Sequence, residues 1–442
     1  MGNGKEPVMK ALIFDGSPEG DPSGGRIAGE LVPILEAKGY ETEHIILREK
    51  SIGNCNGCFG CWLKTPGICG IDDDNRELSE KFVQSDLLIM LTPVTFGGYS
   101  PELKRMLDHF IANVSPFFTT IDGESHHRKR YAAYPDLLAI GWLDQPDDRQ
   151  TAIFRYLVMR NSINFYSAKA GCGVICRTEG TEAIRQTLAE LLRGLETGSQ
   201  VRMELPDAGT ASGMDDPPRK ALLLVGSPRM EKSSSASIGG YLLEELETRG
   251  VATQTVHIHK AVRDKRRLAG LLEAVDSADL CILAFPLYID SVPAPVLSVM
   301  KQIKERRNAG PSGAGLAVIV NCGFIESHHN ETAIAIGAEF AAESGFTWMG
   351  GISIGGGEGL VHGRPLRSLG GPAIPCKKSL DLAAAALAEG KPLPEDARRQ
   401  LARPFVPGWL YRFVGSLNWK KEARRNGISR RLGDQPYRQL QS

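Results

Sequence analysis

The chain repeats itself. Lys10-Ala-Leu-Ile-Phe-Asp-Gly-Ser-Pro18 returns as Lys220-Ala-Leu-Leu-Leu-Val-Gly-Ser-Pro228, and Ser85-Asp-Leu-Leu-Ile-Met-Leu-Thr-Pro93 is echoed by Ser277-Ala-Asp-Leu-Cys-Ile-Leu-Ala-Phe-Pro286. An apolar strand running into Gly-Ser-Pro, then a second buried strand, repeated at this distance, means two copies of one nucleotide-binding-like domain. The copies are unequal. Gly16 and Asp86 are 70 positions apart, whereas Gly226 and Asp279 are 53 apart. The 17 residues of surplus coincide with Cys55, Cys58, Cys61 and Cys69.

A length of 442 residues exceeds what a single core supports and suits two domains of about 150–200 residues each. In the first copy, near-continuous apolar runs at 10–15, 43–47, 87–91 and 137–142 read as buried strands of a parallel sheet, with a helix at 27–39 stopped by Gly39. The second copy offers strands at 221–225, 253–259, 280–285 and 316–321, and a helix at 239–249 stopped by Gly250. The expected fold is therefore α/β: two tandem doubly wound parallel sheets at 8–205 and 220–390. They are joined by a turn-rich linker at 206–219, across which each half is expected to fold alone, and followed by a tail at 391–442.

That tail mixes Phe405, Trp409, Tyr411, Phe413 and Trp419 with a Lys/Arg run from Lys420 to Arg431. One reading is peripheral contact with an anionic membrane. The favoured one is a tail wrapped over its own domain, because prolines separate its aromatics. Formal net charge is zero, so no field draws nucleic acid. The first seven residues lack an apolar stretch, so no signal peptide is expected, and no apolar run is long enough to span a membrane. Nine scattered and clustered cysteines suit a reducing cytoplasm better than a disulfide framework.

Each Gly-Ser-Pro turn is also a chemical device. Gly16 permits a sharp turn, Ser17 and Ser23 offer hydroxyls beside Pro18, and the following helix offers free N–H groups, which together suit one phosphate. No G-x-G-x-x-G follows, so the loop fits a mononucleotide. After the third strand comes Pro93-Val94-Thr95-Phe96-Gly97-Gly98-Tyr99, whose glycines allow a flat ligand to approach and whose rings can pack on it. In a doubly wound sheet both loops meet at the carboxyl ends of the strands.

These two loops, Gly16-Ser-Pro with Ser23 and Pro93 through Lys104, resemble those of the NADPH-dependent FMN reductases and iron–sulfur flavoproteins of flavodoxin-like fold. The resemblance covers both copies. It implies FMN, with phosphate in the first loop and isoalloxazine against the second, and NAD(P)H as reductant. Where the family carries a basic residue after Gly-Ser-Pro, the first copy has Glu19 and Asp21, and the second has Arg229 and Lys232 with Ser227, Ser233, Ser234 and Ser235. The second copy's other loop has prolines and Asp290 in place of glycines. FMN is assigned to the first copy, with a second site at Ser227, Arg229 and Ser233 left open.

Cys55-x2-Cys58-x2-Cys61-x7-Cys69 is compact enough to wrap a 4Fe–4S cluster, and its place after the second strand is similar to that in the iron–sulfur flavoproteins. Zinc or bare thiols remain open on the spacing alone. Asp72, Asp73 and Asp74 beside it read as a solvated turn, the pairs His126-His127 and His328-His329 as surface, and Cys172, Cys176, Cys281, Cys322 and Cys376 as core.

The expected activity is a flavin-dependent NAD(P)H oxidoreductase, a homodimer with no catalytic side chain of its own, passing electrons to a small-molecule or protein acceptor. Two other functions stay open: an FMN and iron–sulfur carrier without a nicotinamide site, and a degenerate second domain kept for dimerisation.

Overall fold

A computed structural model describes residues 8–198, 204–307 and 313–438, so the residues read for a leader lie outside it. The first half contains β1 (Met9–Asp15), β2 (Tyr40–Ile46), β3 (Leu87–Pro93), β4 (Val114–Ile121), β5 (Glu124–Lys129), β6 (Asp136–Leu143) and β7 (Ala170–Cys176). The second contains β8 (Lys220–Val225), β9 (Ala252–His257), β10 (Leu280–Pro286), β11 (Gly315–Asn321) and β12 (Thr347–Ile354). Two parallel five-stranded sheets result, in the orders β2-β1-β3-β6-β7 and β9-β8-β10-β11-β12. Both are the flavodoxin-like order, in which the chain reverses direction beside the first strand of each half. The central strands β1, β3, β6, β8, β10 and β11 are almost wholly buried, which is why their sequences do not alternate.

The sequence reading missed β7 and the antiparallel hairpin β4–β5. Strand β7, Ala170-Gly-Cys-Gly-Val-Ile-Cys176, is a glycine-bearing edge. Gly173 lets the Leu191 side chain of the covering helix lie close, since a Cβ there would stand 2.7 Å from its terminal methyl. Both phosphate-loop helices begin earlier than the periodicity suggested, at Ser23 and Ser234.

The halves are packed together by their corresponding parts. Phe96 and Ile153 of the first half join the core of the second, and the Phe96 ring meets Phe340 edge-on at 5.4 Å. Asn161 and Asn164 donate to Asp290 at 3.1 and 2.6 Å. Lys104 is fully buried, pairs with Asp108 and donates to the Tyr288 carbonyl at 2.7 Å, while Asp108 accepts from Ala294 N at 3.0 Å. A shared core of this kind runs against the expectation that each half folds alone.

Truncating Lys104 leaves Asp108 buried without its cation. Lys104→Ala is therefore expected to cost about 3–5 kcal/mol in denaturant unfolding. Lys104→Met with Asp108→Asn, which keeps an acceptor for Ala294, should recover most of it.

A second tie is pH-dependent. Glu124 takes both guanidinium nitrogens of Arg160 at 2.8 Å and accepts from His328 of the other half at 2.7 Å. Burial opposes the Glu124 charge, but the bonds from His328 and Arg160 outweigh it and hold the carboxyl well below its usual range. The Glu124 contact raises His328 in turn. A lowered acid stabilises above its unfolded pKa and loses that as pH falls, whereas a raised imidazole stabilises below its unfolded pKa and loses that as pH rises. The tie is therefore complete between about pH 4.5 and 6.5, the unfolded values of the two groups. The stability difference between wild type and His328→Ala should shrink on moving from pH 6 to above pH 8.

Candidate functional site

A cavity of about 620 Å³ opens at the carboxyl ends of β8, β10 and β11, a size suited to a cofactor. One wall is the loop after β8, with Ser227, Arg229 and Ser233–Ser235. Ser233 caps the helix Ser234–Glu247, its Oγ accepting from Ala236 N at 3.0 Å, which fixes the helix start beneath the loop. Asn321, at the end of β11, donates to Ser235 Oγ at 2.9 Å. The result is a cluster of hydroxyls and first-turn amides at the positive end of a 14-residue helix, with one guanidinium beside it. Glu358 currently engages these donors, pairing with Arg229 at 2.8 Å and accepting from Ser234 Oγ at 3.4 Å. Its side chain is half exposed on a five-residue helix.

The facing wall belongs to the first half. Cys55, Cys58, Cys61 and Cys69 all border the same cavity. Their loop is held from both sides. Arg229 donates to the Gly57 carbonyl at 3.1 Å and lies 5.0 Å from the Phe59 ring centre. At the base, Asp73 accepts from Gly53 N at 2.7 Å and from Asn75 N at 2.9 Å, and Asp74 accepts from Ser51 N at 2.8 Å. Asp73 and Asp74 are thus latches of the loop, which corrects the expectation of a solvated turn for these two, while Asp72 is solvent-exposed. Burial pushes the Cys55 thiol up to about 12 and raises those of Cys61 and Cys69, so as bare thiols they stay protonated. Among the described residues, no three of the sulfurs come within 4.8 Å of one another. Thiolates at about 2.3 Å from one zinc ion would have to sit closer together than that.

The matching family model is that of NADPH-dependent FMN reductases, over residues 9–137 and again over 219–350. These two stretches make up more than half of the chain. The chain belongs to the NADPH-dependent FMN reductase family. An iron–sulfur flavoprotein of Methanocaldococcus jannaschii is 36% identical over 100 residues, 23% of this chain and 51% of that protein. An FMN-dependent NADPH-azoreductase of Staphylococcus aureus is 33% identical over 101 residues, 23% of this chain and 52% of that protein. The chain spans about half the length of the curated relatives it matches. In structure, an NAD(P)H:quinone oxidoreductase from Methanothermobacter marburgensis is aligned over 44% of this chain and all of its own, at 12% identity and a TM-score of 0.33.

Within this member of the family the two Gly-Ser-Pro loops differ. Of the residues singled out in the sequence, Ser227, Arg229, Ser233 and the four cysteines line the cavity, whereas Gly16, Ser17, Pro18, Ser23 and the run Pro93, Val94, Thr95, Phe96, Gly97 and Gly98 do not. The first loop is filled by its own carboxylates. Asp15 accepts from Ser17 N at 2.8 Å and from Ser17 Oγ at 2.5 Å, with His44 on its other oxygen. Asp21 accepts from Ser23 N at 2.9 Å and is fixed by Trp142 and Arg177. Burial opposes both charges, yet these donors hold both carboxyls below their usual range, so two fixed anions line the first loop and disfavour a phosphate there. Gly97 and Gly98 lie against Ile153 and Ile336, where a Cβ would stand at 2.7 and 3.0 Å. The smallness of Gly98 serves the contact between halves, and that of Gly97 admits Ile153 of its own half. The geometry thus runs against placing FMN in the first copy.

Other readings are also corrected. His126 is buried, accompanied by Asn164, and His127 borders the cavity, its pKa lowered to about 3 by burial; His329 is buried too, and of the four paired histidines only His328 is substantially exposed. Of the five outlying cysteines, Cys281, Cys322 and Cys376 are buried, Cys322 at the cavity edge, and Cys172 and Cys176 are half-buried. The tail does not stay on its own domain. Tyr411 donates to Gly323 O of the second half at 2.8 Å, while Trp419 meets Phe59 and Trp62 of the cysteine loop edge-on at 5.3 and 5.2 Å. Further on, Arg130 of the first half donates to Asp434 O at 2.8 Å. The tail aromatics carried the signal; their destination did not follow from their spacing.

Proposed function

We propose that this chain is an FMN-dependent NAD(P)H oxidoreductase whose flavin site is built from the second copy and whose cysteine loop, from the first copy, holds a 4Fe–4S cluster against it. One observation carries the reading: a single cavity has a hydroxyl-rich helix N-terminus on one wall and four free cysteines on the other. The donor set fits a phosphate monoester, because Ser227, Ser234, the helix amides and Arg229 all favour an anion. The cysteine set offers a cluster the four thiolates it needs, all on one loop at the cavity wall. Ser227, Ser234 and Arg229 would hold FMN, which would supply hydride acceptance, and the four cysteines would hold a cluster, which would supply one-electron transfer.

The protein's own part is to bind and to exclude water. Arg229 ties the phosphate loop to Gly57 and Phe59, so the two sites are positioned by one side chain. Tyr411 and Trp419 close the cavity from the tail side. Both halves already contribute to one site, so the homodimer expected from the sequence is not needed to complete it. No helix among the described residues is long and apolar enough to cross a membrane, and we place the enzyme in the cytoplasm, where its nine thiols stay reduced. The acceptor is a small molecule or a protein. The test is the visible spectrum of anaerobically purified protein. Flavin bands that bleach on adding NADPH support the oxidoreductase, and bands that bleach with dithionite alone favour a carrier without a nicotinamide site.

A further inference from the structure

The C-terminal helix Gly408–Arg425 has two faces with different duties. Tyr411, Gly415, Asn418 and Trp419 turn inward to the cavity. On the opposite side Trp409, Phe413 and Leu417 follow one another at four-residue spacing and are 66%, 59% and 49% exposed, while Val414, at the cavity rim between the two faces, is 45% exposed. They are four of the eight large apolar side chains exposed among the described residues, gathered on two turns of one helix. The same outward face continues into Lys420, Lys421 and Arg424, all exposed and without an ion pair among the described residues. From Arg403 to Arg431 the chain carries eight Lys and Arg against one acid, Glu422.

We propose that this face docks the protein on an anionic lipid bilayer, with Trp409, Phe413 and Leu417 entering the headgroup boundary and Lys420, Lys421 and Arg424 on the lipid phosphates. An aromatic and aliphatic stripe beside a block of cations, on a helix lying along the surface, is the pattern such interfaces take. Each cation near an anionic surface adds to the attraction, and the apolar stripe adds burial that neither water nor the protein provides. Charge decides against the rival occupant. A second copy seated on this face would bring two basic blocks of the same sign together, whereas an anionic bilayer complements both the charge and the apolar stripe. The argument is independent of which cofactors the cavity holds.

Holoprotein, with its flavin bound, is to be floated with vesicles of phosphatidylcholine alone and with vesicles also containing phosphatidylglycerol. Binding to the anionic vesicles should exceed binding to the neutral ones by about tenfold or more and weaken in high salt. Phe413→Asp should abolish it, and Lys420→Glu with Lys421→Glu should weaken it by about tenfold or more, with flavin content and elution volume unchanged. No flotation with either vesicle, equal flotation with both, or flotation indifferent to Phe413→Asp overturns the proposal. So does wild type eluting as a dimer that Phe413→Asp splits, which would make the face a contact between copies.

Discussion

Replacing Ser227 and Ser234 with alanine is expected to raise the Kd for FMN by about a hundredfold or more. Two hydroxyls donated to a charged phosphate contribute roughly 1.5–3 kcal/mol each, and each 1.4 kcal/mol is a tenfold change. Neither hydroxyl caps the helix, which Ser233 does, so the fold should survive the change. The control is Ser17→Ala with Ser23→Ala. The Ser17 hydroxyl already donates to Asp15, and Asp21 holds the Ser23 amide. FMN affinity should therefore move by no more than about twofold, although stability should fall as a buried carboxylate loses a donor. Glu358→Gln is expected to act in the other direction. It removes a negative charge that now engages Arg229 and Ser234, and FMN should bind more tightly. Quenching of flavin fluorescence on titration reads all three. Loss of flavin from the Ser17/Ser23 variant and not from the Ser227/Ser234 variant would return the site to the first copy.

The second large effect is on iron. Anaerobically purified wild type is expected to carry about four iron and four sulfide per chain, and Cys58→Ala almost none, with flavin retained. Cys58 is the exposed member of the set, so its replacement disturbs packing least. Flavin should remain because the serine loop lies on the opposite wall of the cavity. Protein that is yellow, free of iron and free of zinc under strict anaerobiosis sinks the cluster. The cysteine loop would then be a cover for the flavin, held by Arg229, Asp73 and Trp419.

Why the two copies specialised can be seen in a few residues. Val225 ends β8 where Asp15 ends β1, and this one difference leaves Ser227 free of the internal carboxylate that engages Ser17. In the first copy the carboxylates engage the serines and the longer connection carries the cysteines, whereas in the second the serines face the cavity. Each then supplies one wall of a common cavity.

The repeat, the parallel sheets, the glycine-stopped helices and the cysteine cluster were all legible in the chain, because they depend on apolar periodicity and on local turn chemistry. Even the electrostatic contrast between Asp21 in one loop and Arg229 in the other was visible by inspection. What the sequence could not determine was which copy's loop faces a cavity. That depended on contacts across more than a hundred residues: Phe96 on Phe340, Asp108 on Ala294, Arg229 on Gly57, Trp419 on Trp62. Glycines at 97 and 98 look the same whether they make room for a flavin or for Ile153 and Ile336. Only the packing of one half on the other separates the two, because the absence of a Cβ records that something comes close and not what it is.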